Sequence, residues 1–153
     1  MRRAGSGDVP TLVELWEEMS AVQAAADPRM QTSPMAAAVL NGWFEDHLVG
    51  DRSAVFVAEE EGGGIVGYAF GTILENRPFY PDQFCGYFAD LSIRASERRT
   101  GIGTRLAREM HEWFRSRQLP YVLVNVSALN AGAGAFWRRQ GYGEFVENLR
   151  MDL

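Results

Sequence analysis

The 153-residue sequence predicts an α/β fold of the α+β kind, with elements in the order β-α-α-β-β-β-α-β-α-β. Three observations lead there. Apolar residues recur at helical spacing in two early segments. A glycine run, Glu61-Gly62-Gly63-Gly64, separates two strand-like segments as a hairpin turn. Further on, two apolar strands each lead through a loop into a helical pattern. A chain of this length is expected to form one domain over residues 1–153, large enough to bury a core.

Each element has its own justification. Met1 to Ala4 supplies only a stub of the first strand. Ser6 or Asp8 can cap a helix that has Pro10 in its first turn and Val9, Leu12, Val13, Trp16 and Met19 on its apolar stripe. Pro34 starts a second helix whose stripe is Val39, Leu40, Trp43, Phe44, His47 and Leu48. Ala54 to Glu59 and Ile65 to Leu74 are the two strands of the hairpin. Residues 75–84 form an aromatic loop, and strand 85–93 follows it. After Gly101, Ile102, Leu106, Met110, Trp113 and Phe114 mark the buried face of a third helix. Strand 121–127, helix 131–140 and a last strand at 143–152 complete the order.

Composition narrows the function. The net charge is −5 and no basic cluster lies outside one loop, which argues against nucleic acid as a partner. No apolar run approaches the ~20 residues that span a bilayer. Arg2 and Arg3 precede no hydrophobic stretch, so no secretory signal is expected, and the lone Cys85 cannot form an internal disulfide. The expected location is the cytoplasm. All fifteen basic residues are arginine, so an enzyme that acylates amines would find no lysine on its own chain.

The most informative segment is Arg98-Arg99-Thr100-Gly101-Ile102-Gly103-Thr104, which follows the apolar run Tyr87 to Ile93 and opens the third helix. Glycines keep side chains away, the helix N-terminus adds partial positive charge, and the arginines add full charge; together they suit a pyrophosphate. An ordinary glycine-containing helix start is the plainer reading of the loop alone. A P-loop is excluded because no lysine exists, and a dinucleotide fingerprint because its third glycine is Leu106. Downstream, Asn130, Ala133, Phe136-Trp137 and Gly141-Tyr142 recur at fixed spacing after a strand.

R-x-x-G-x-G after a strand, followed by N-x-x-A-x-x-F-W-x-x-x-G-Y, resembles the GNAT superfamily of N-acetyltransferases. The resemblance covers nearly the whole chain, although specific motifs lie only between Tyr87 and Tyr142. It implies a mixed sheet of six to seven strands, splayed between the fourth and fifth, with about four flanking helices. It also implies acetyl-CoA as donor co-substrate. Leu91, Ser92 and Ile93 would then offer backbone to the pantetheine arm. Arg98, Arg99, Thr100, Gly101, Ile102, Gly103 and Thr104 would hold the pyrophosphate, while Asn130, Phe136 and Trp137 would border the arm. Ala95 stands where the family often has proline, outside the phosphate cradle.

Transfer to an amine needs a polarised carbonyl, a base for the ammonium proton and a route for the leaving thiolate. Many family members place a tyrosine acid where this chain has Trp137, whose indole only donates. Tyr142 and Tyr87 are the substitutes. Asp90 is the first choice for the base; strand alternation puts it on the face of Phe88 and Ser92, and a structural hydrogen bond is the alternative. Some relatives carry a glutamate one residue earlier, where this chain has Ala89. Glu75 is the second choice, while Cys85, His47 and His111 read as structural. No metal site is expected. Acceptor selection is expected from the first two helices and loop 75–84, where Trp16, Glu17, Trp43, Phe44, Asp46, Arg77, Phe79 and Tyr80 suit a cationic small-molecule amine. Phe79, Tyr80 and Phe84 equally suit a homodimer contact. A non-catalytic acyl-CoA-binding or protein-interaction module with the same fold is the alternative to an enzyme.

Overall fold

The computed structural model describes residues 1–153. Its sheet has five strands in chain order: β1 (Arg2–Arg3), β2 (Ser53–Glu59), β3 (Ile65–Glu75), β4 (Phe84–Ile93) and β5 (Val122–Val124). The first four run antiparallel to one another, and β5 lies parallel to β4. The helices are α1 (Val9–Ala26), α2 (Ala36–Val49), α3 (Ile102–Ser116) and α4 (Ala131–Arg139). No helix is long and apolar enough to cross a membrane.

The sheet separates two cores. Leu12 and Leu15 of α1 and Phe44 of α2 bury against Val55, Val57, Tyr68 and Phe70 on one face. On the other face, Leu106, Met110 and Phe114 of α3 and Trp137 of α4 bury against Ala54, Val66, Ala69 and Phe88. Alternation along β2 sends Val55 and Val57 one way and Ala54 and Ala58 the other, so both faces are apolar. Gly71 allows α3 to lie close to β3, because a Cβ there would stand 2.5 Å from Met110 Sδ and 2.7 Å from Phe114 Cζ.

Four expectations are corrected. The sheet has five strands where six to seven were expected, because residues 143–152 form no strand and make no backbone hydrogen bonds. Phe145, Leu149 and Met151 are exposed there. The neighbouring edge, β5, is three residues long where 121–127 was expected, and offers too few partners to hold another strand. Val39 of α2 is 65% exposed and lies off the buried stripe, which runs through Leu40, Trp43, Phe44 and Leu48. Helix α2 also begins two residues after Pro34, which lies in the preceding turn.

Candidate active site

Pairing between β4 and β5 stops at Phe88 and Val124. At that point β4 carries one extra residue: Phe70 of β3 faces Asp90 and Gly71 faces Phe88, leaving Ala89 as a bulge. A bulge bends its strand and increases its twist, so β4 diverges from β5 just beyond the last pair. The outer edge of Leu91, Ser92 and Ile93 has no strand beside it.

The bulge also overturns simple alternation. Phe88 faces the α3 core, whereas Asp90 points to the α1–α2 side, where it accepts a hydrogen bond of 3.3 Å from the Tyr68 hydroxyl. Ser92 is on that side too, donating from Oγ to the Leu15 carbonyl at 2.7 Å. Asp90 therefore shares a face with Ser92 but not with Phe88. Burial pushes its carboxyl up from 3.8 to about 6, and the bond from Tyr68 offsets that only in part. Tyr68 is fully buried, and burial beside Asp90 holds its phenol neutral, as a donor. Tyr68 was missed in the sequence, since a partner 22 residues away is set by strand register alone.

From Ile93 the chain passes through a short turn, Ala95–Glu97, to the start of α3. Arg98 Nε donates to the Ile93 carbonyl at 3.1 Å, and Thr100 Oγ1 to the Glu97 carbonyl at 2.7 Å, which fixes the loop on itself. Gly101 occupies the N-cap with φ +87°, a left-handed conformation that favours glycine, and no side chain caps the helix. The N–H groups of Ile102, Gly103 and Thr104 therefore face outward without intrahelical acceptors. Arg98, Arg99 and Arg105 are exposed around them. This donor set fits a pyrophosphate, combining free backbone donors, a helix N-terminus and fixed positive charge. A Cβ at Gly103 would lie 3.7 Å from the Phe136 ring and 3.8 Å from Ile93 Cγ1, so the strand end, the helix start and α4 converge there.

Asn130 caps α4, its Oδ1 accepting from the Ala133 N–H at 3.0 Å, and so aligns the helix that carries Phe136 and Trp137. Trp137 is buried with its ring edge-on to Phe88 at 4.7 Å and to Phe136 at 5.0 Å. Tyr142 lies against Trp137 at 5.2 Å, and its hydroxyl is 2.8 Å from His111 Nε2. Burial raises the Tyr142 phenol and lowers the His111 imidazole, so both are held neutral. This pair sits on the α3 side of the sheet, across from Asp90. Its geometry was not legible in the sequence, because the two residues are 31 apart.

The remaining candidates lie elsewhere. Glu75 ends β3 opposite Phe84, five residues and about 17 Å of strand from the Asp90 pair. The Tyr87 hydroxyl accepts from Asn125 Nδ2 at 3.1 Å. Cys85 is buried, and burial pushes its thiol up, the wrong direction for a nucleophile. His47 Nδ1 is 2.7 Å from the Trp43 carbonyl on its own helix, a structural contact. Phe79 and Tyr80 lie 5.0 Å apart with their rings tilted by 44°, and both are exposed in loop 75–84. No group of three or more His, Cys, Asp or Glu side chains could hold a metal.

A sequence model of the acetyltransferase (GNAT) family matches residues 14–142. No curated protein sequence matches the chain. Among solved structures, a mutant of the BH1408 protein of Bacillus halodurans superposes with a TM-score of 0.90 at 19% identity, covering 99% of this chain and 98% of that one. The aminoglycoside acetyltransferase meta-AAC0020 from an uncultured soil metagenomic sample, in complex with sisomicin, gives 0.71 at 22% identity, covering 99% and 94%. Aminoglycoside N-acetyltransferase AAC(6')-Iy in complex with CoA gives 0.74 at 15% identity, covering 99% and 92%. At these identities the likeness concerns the fold.

Proposed function

We propose, from the premise that the chain belongs to the acetyltransferase (GNAT) family, that it moves the acetyl group of acetyl-CoA directly to a primary amine of a small molecule or a peptide N-terminus. The observation that carries this reading is the bulge at Ala89. Where β4 leaves β5, it opens a strand edge that leads straight into an uncapped helix N-terminus, and it turns a carboxylate with raised pKa to the side of α1 and α2.

Acetyl-CoA would bring the activated thioester; the chain's own groups supply the rest. Residues 98–104 hold the pyrophosphate, the backbone of Leu91, Ser92 and Ile93 aligns the pantetheine arm, and Asn130 with the Phe136–Trp137 wall borders it. Backbone donors beside the bulge can polarise the carbonyl without reorganising. Asp90 takes the ammonium proton, and a carboxyl poised at about 6 is ionised yet basic enough for that task at neutral pH. No side chain needs to form a covalent intermediate, and the buried Cys85 is unsuited to one. Trp137 closes the wall but cannot supply a proton at neutral pH, and the Tyr142 hydroxyl is already engaged with His111. The thiolate therefore leaves to solvent. The names of the aminoglycoside-acetylating neighbours support an amine acceptor, as does the net charge of −5.

Thermal melting with acetyl-CoA, CoA and ATP tests the donor site. Ligand at a hundred times its dissociation constant adds about 2.7 kcal/mol to stability, a shift of several degrees. Stabilisation by the CoA species and not by ATP supports the reading, and turnover of an amine panel then distinguishes an enzyme from a binding module. No shift with either CoA species overturns it.

A further inference from the structure

Tyr68 is a polar residue in an otherwise apolar setting. Its ring belongs to the α1–α2 core with Leu12, Phe44, Val57 and Phe70, stands edge-on to Phe44 at 5.8 Å and is fully buried. A phenylalanine ring would fill the same place. A hydroxyl buried there costs stability unless it is bonded, and its one bond goes to Asp90 Oδ2 at 3.3 Å.

That meeting depends on register. Tyr68 stands opposite Ser92 and Phe70 opposite Asp90, so the phenol reaches Asp90 diagonally across the strand pair. The bulge at Ala89 puts the carboxylate on this face. Ser92 does not compete as a donor, because its hydroxyl is given to the Leu15 carbonyl. Asp90 forms no ion pair, and its Oδ1 accepts no hydrogen bond from the protein. The other titratable groups of the surrounding elements are engaged or exposed. Glu14 and Glu18 of α1 hold Arg94, and Glu17, Glu45 and Asp46 are exposed. His47 of α2 lies against Phe70 with Nδ1 at the Trp43 carbonyl, and the Tyr87 hydroxyl accepts from Asn125. One oxygen of Asp90 is held and the other is open.

We infer that Tyr68 is a positioning residue for the transfer: by holding Oδ2 it aims Oδ1 at the acceptor amine and keeps the buried carboxylate ionised. The role rests on the reading of Asp90 as the base. In the step itself the ammonium nitrogen gives one proton to Oδ1, so carboxylate and ammonium become carboxylic acid and neutral amine. The lone pair freed on nitrogen then attacks the thioester. Tyr68 gives up no proton, since burial beside Asp90 holds its phenol neutral. A donor to the ionised form opposes the effect of burial, so the carboxyl should titrate higher without it.

The test follows the Asp90 carboxyl by carbon NMR in the full chain, its signal identified by its loss in Asp90→Asn, alongside kcat/KM against pH for the amine turned over fastest. Tyr68→Phe should raise the Asp90 midpoint by about one pH unit. The acid limb of kcat/KM should follow, falling about tenfold there, with CoA affinity intact. Replacing Tyr68 by 3-fluorotyrosine, whose phenol is a stronger donor, should move both readings the other way. This second variant keeps the hydroxyl and carries the test if Tyr68→Phe melts too low. Turnover lost in Asp90→Asn but an unmoved midpoint or rate profile in the folded Tyr68 variants overturns the role of Tyr68 alone. Unchanged turnover in Asp90→Asn overturns the base itself, and the role of Tyr68 with it.

Discussion

Asp90 is the residue on which structure and chemistry bear most directly. Its folded carboxyl lies at about 6, above the ordinary 3.8, so the folded protein holds a proton that the unfolded chain releases. The sign is thus opposite to that of an ion-paired carboxylate: stability falls as pH rises from about 4 through about 6, by an amount on the order of 3 kcal/mol. Asp90→Asn keeps an acceptor for the Tyr68 hydroxyl and removes the charge. The variant is expected to melt higher than the parent at pH 8, and the gain should vanish below pH 4. Its turnover at pH 8 should drop 10²–10⁴-fold with CoA affinity intact. In the parent, kcat/KM should rise through an apparent pKa near 6; a flat profile excludes Asp90 as base. Gly103 is the second decisive residue. A Cβ there meets only ordinary contacts at 3.7–3.8 Å, so Gly103→Val should fold normally. Its added methyls would cover the helix N-terminus, and the CoA dissociation constant should rise at least tenfold in calorimetry.

Among the elements, β4 decides most. Its first half pairs with β5 and its second half does not, and Ala89 marks the change. Deleting Ala89 would restore regular pairing of Asp90 with Phe70 and of Phe88 with Gly71 while keeping Asp90 on the α1–α2 side. The straightened strand would then continue beside β5. The expected outcome is a folded protein, by circular dichroism, that no longer melts higher with CoA. Retained stabilisation by CoA would mean that the bulge does not create the opening. The same element shows what the sequence left hidden. Its hydrophobic run predicted the strand, but periodicity carries no mark of an extra residue. Simple alternation therefore grouped Phe88 with Asp90, which the bulge sends to opposite faces. Helix α3 was legible throughout, since Ile102, Leu106, Met110, Trp113 and Phe114 lie on its buried face as the 3.6-residue period requires.

On the scale of the molecule, the sheet keeps its two cores apart, with no residue in both. Val13 is buried in one and Val66 in the other. Val13→Ala and Val66→Ala should each cost about 2 kcal/mol. With no shared partners, the losses should add to within about 0.5 kcal/mol in denaturant unfolding, whereas a large coupling would indicate that the sheet transmits packing between its faces. The separation also places chemistry: the candidate base belongs to one side, and the Trp137–Tyr142–His111 cluster to the other.

Local sequence was enough to give the order of the elements up to α4, the apolar stripes of α1 and α3, the hairpin and the glycine-containing start of α3. Each of these rests on local spacing, on glycine at a turn or on charge at a helix start, all of which are written in consecutive residues. The pairing of Tyr68 with Asp90, the contact of His111 with Tyr142 and the isolation of Glu75 were decided only by the tertiary structure, because register between distant strands and helices sets them. The fate of residues 143–152 was decided there as well: an alternating pattern forms a strand only where a neighbouring edge is long enough to pair with it, and β5 is three residues long.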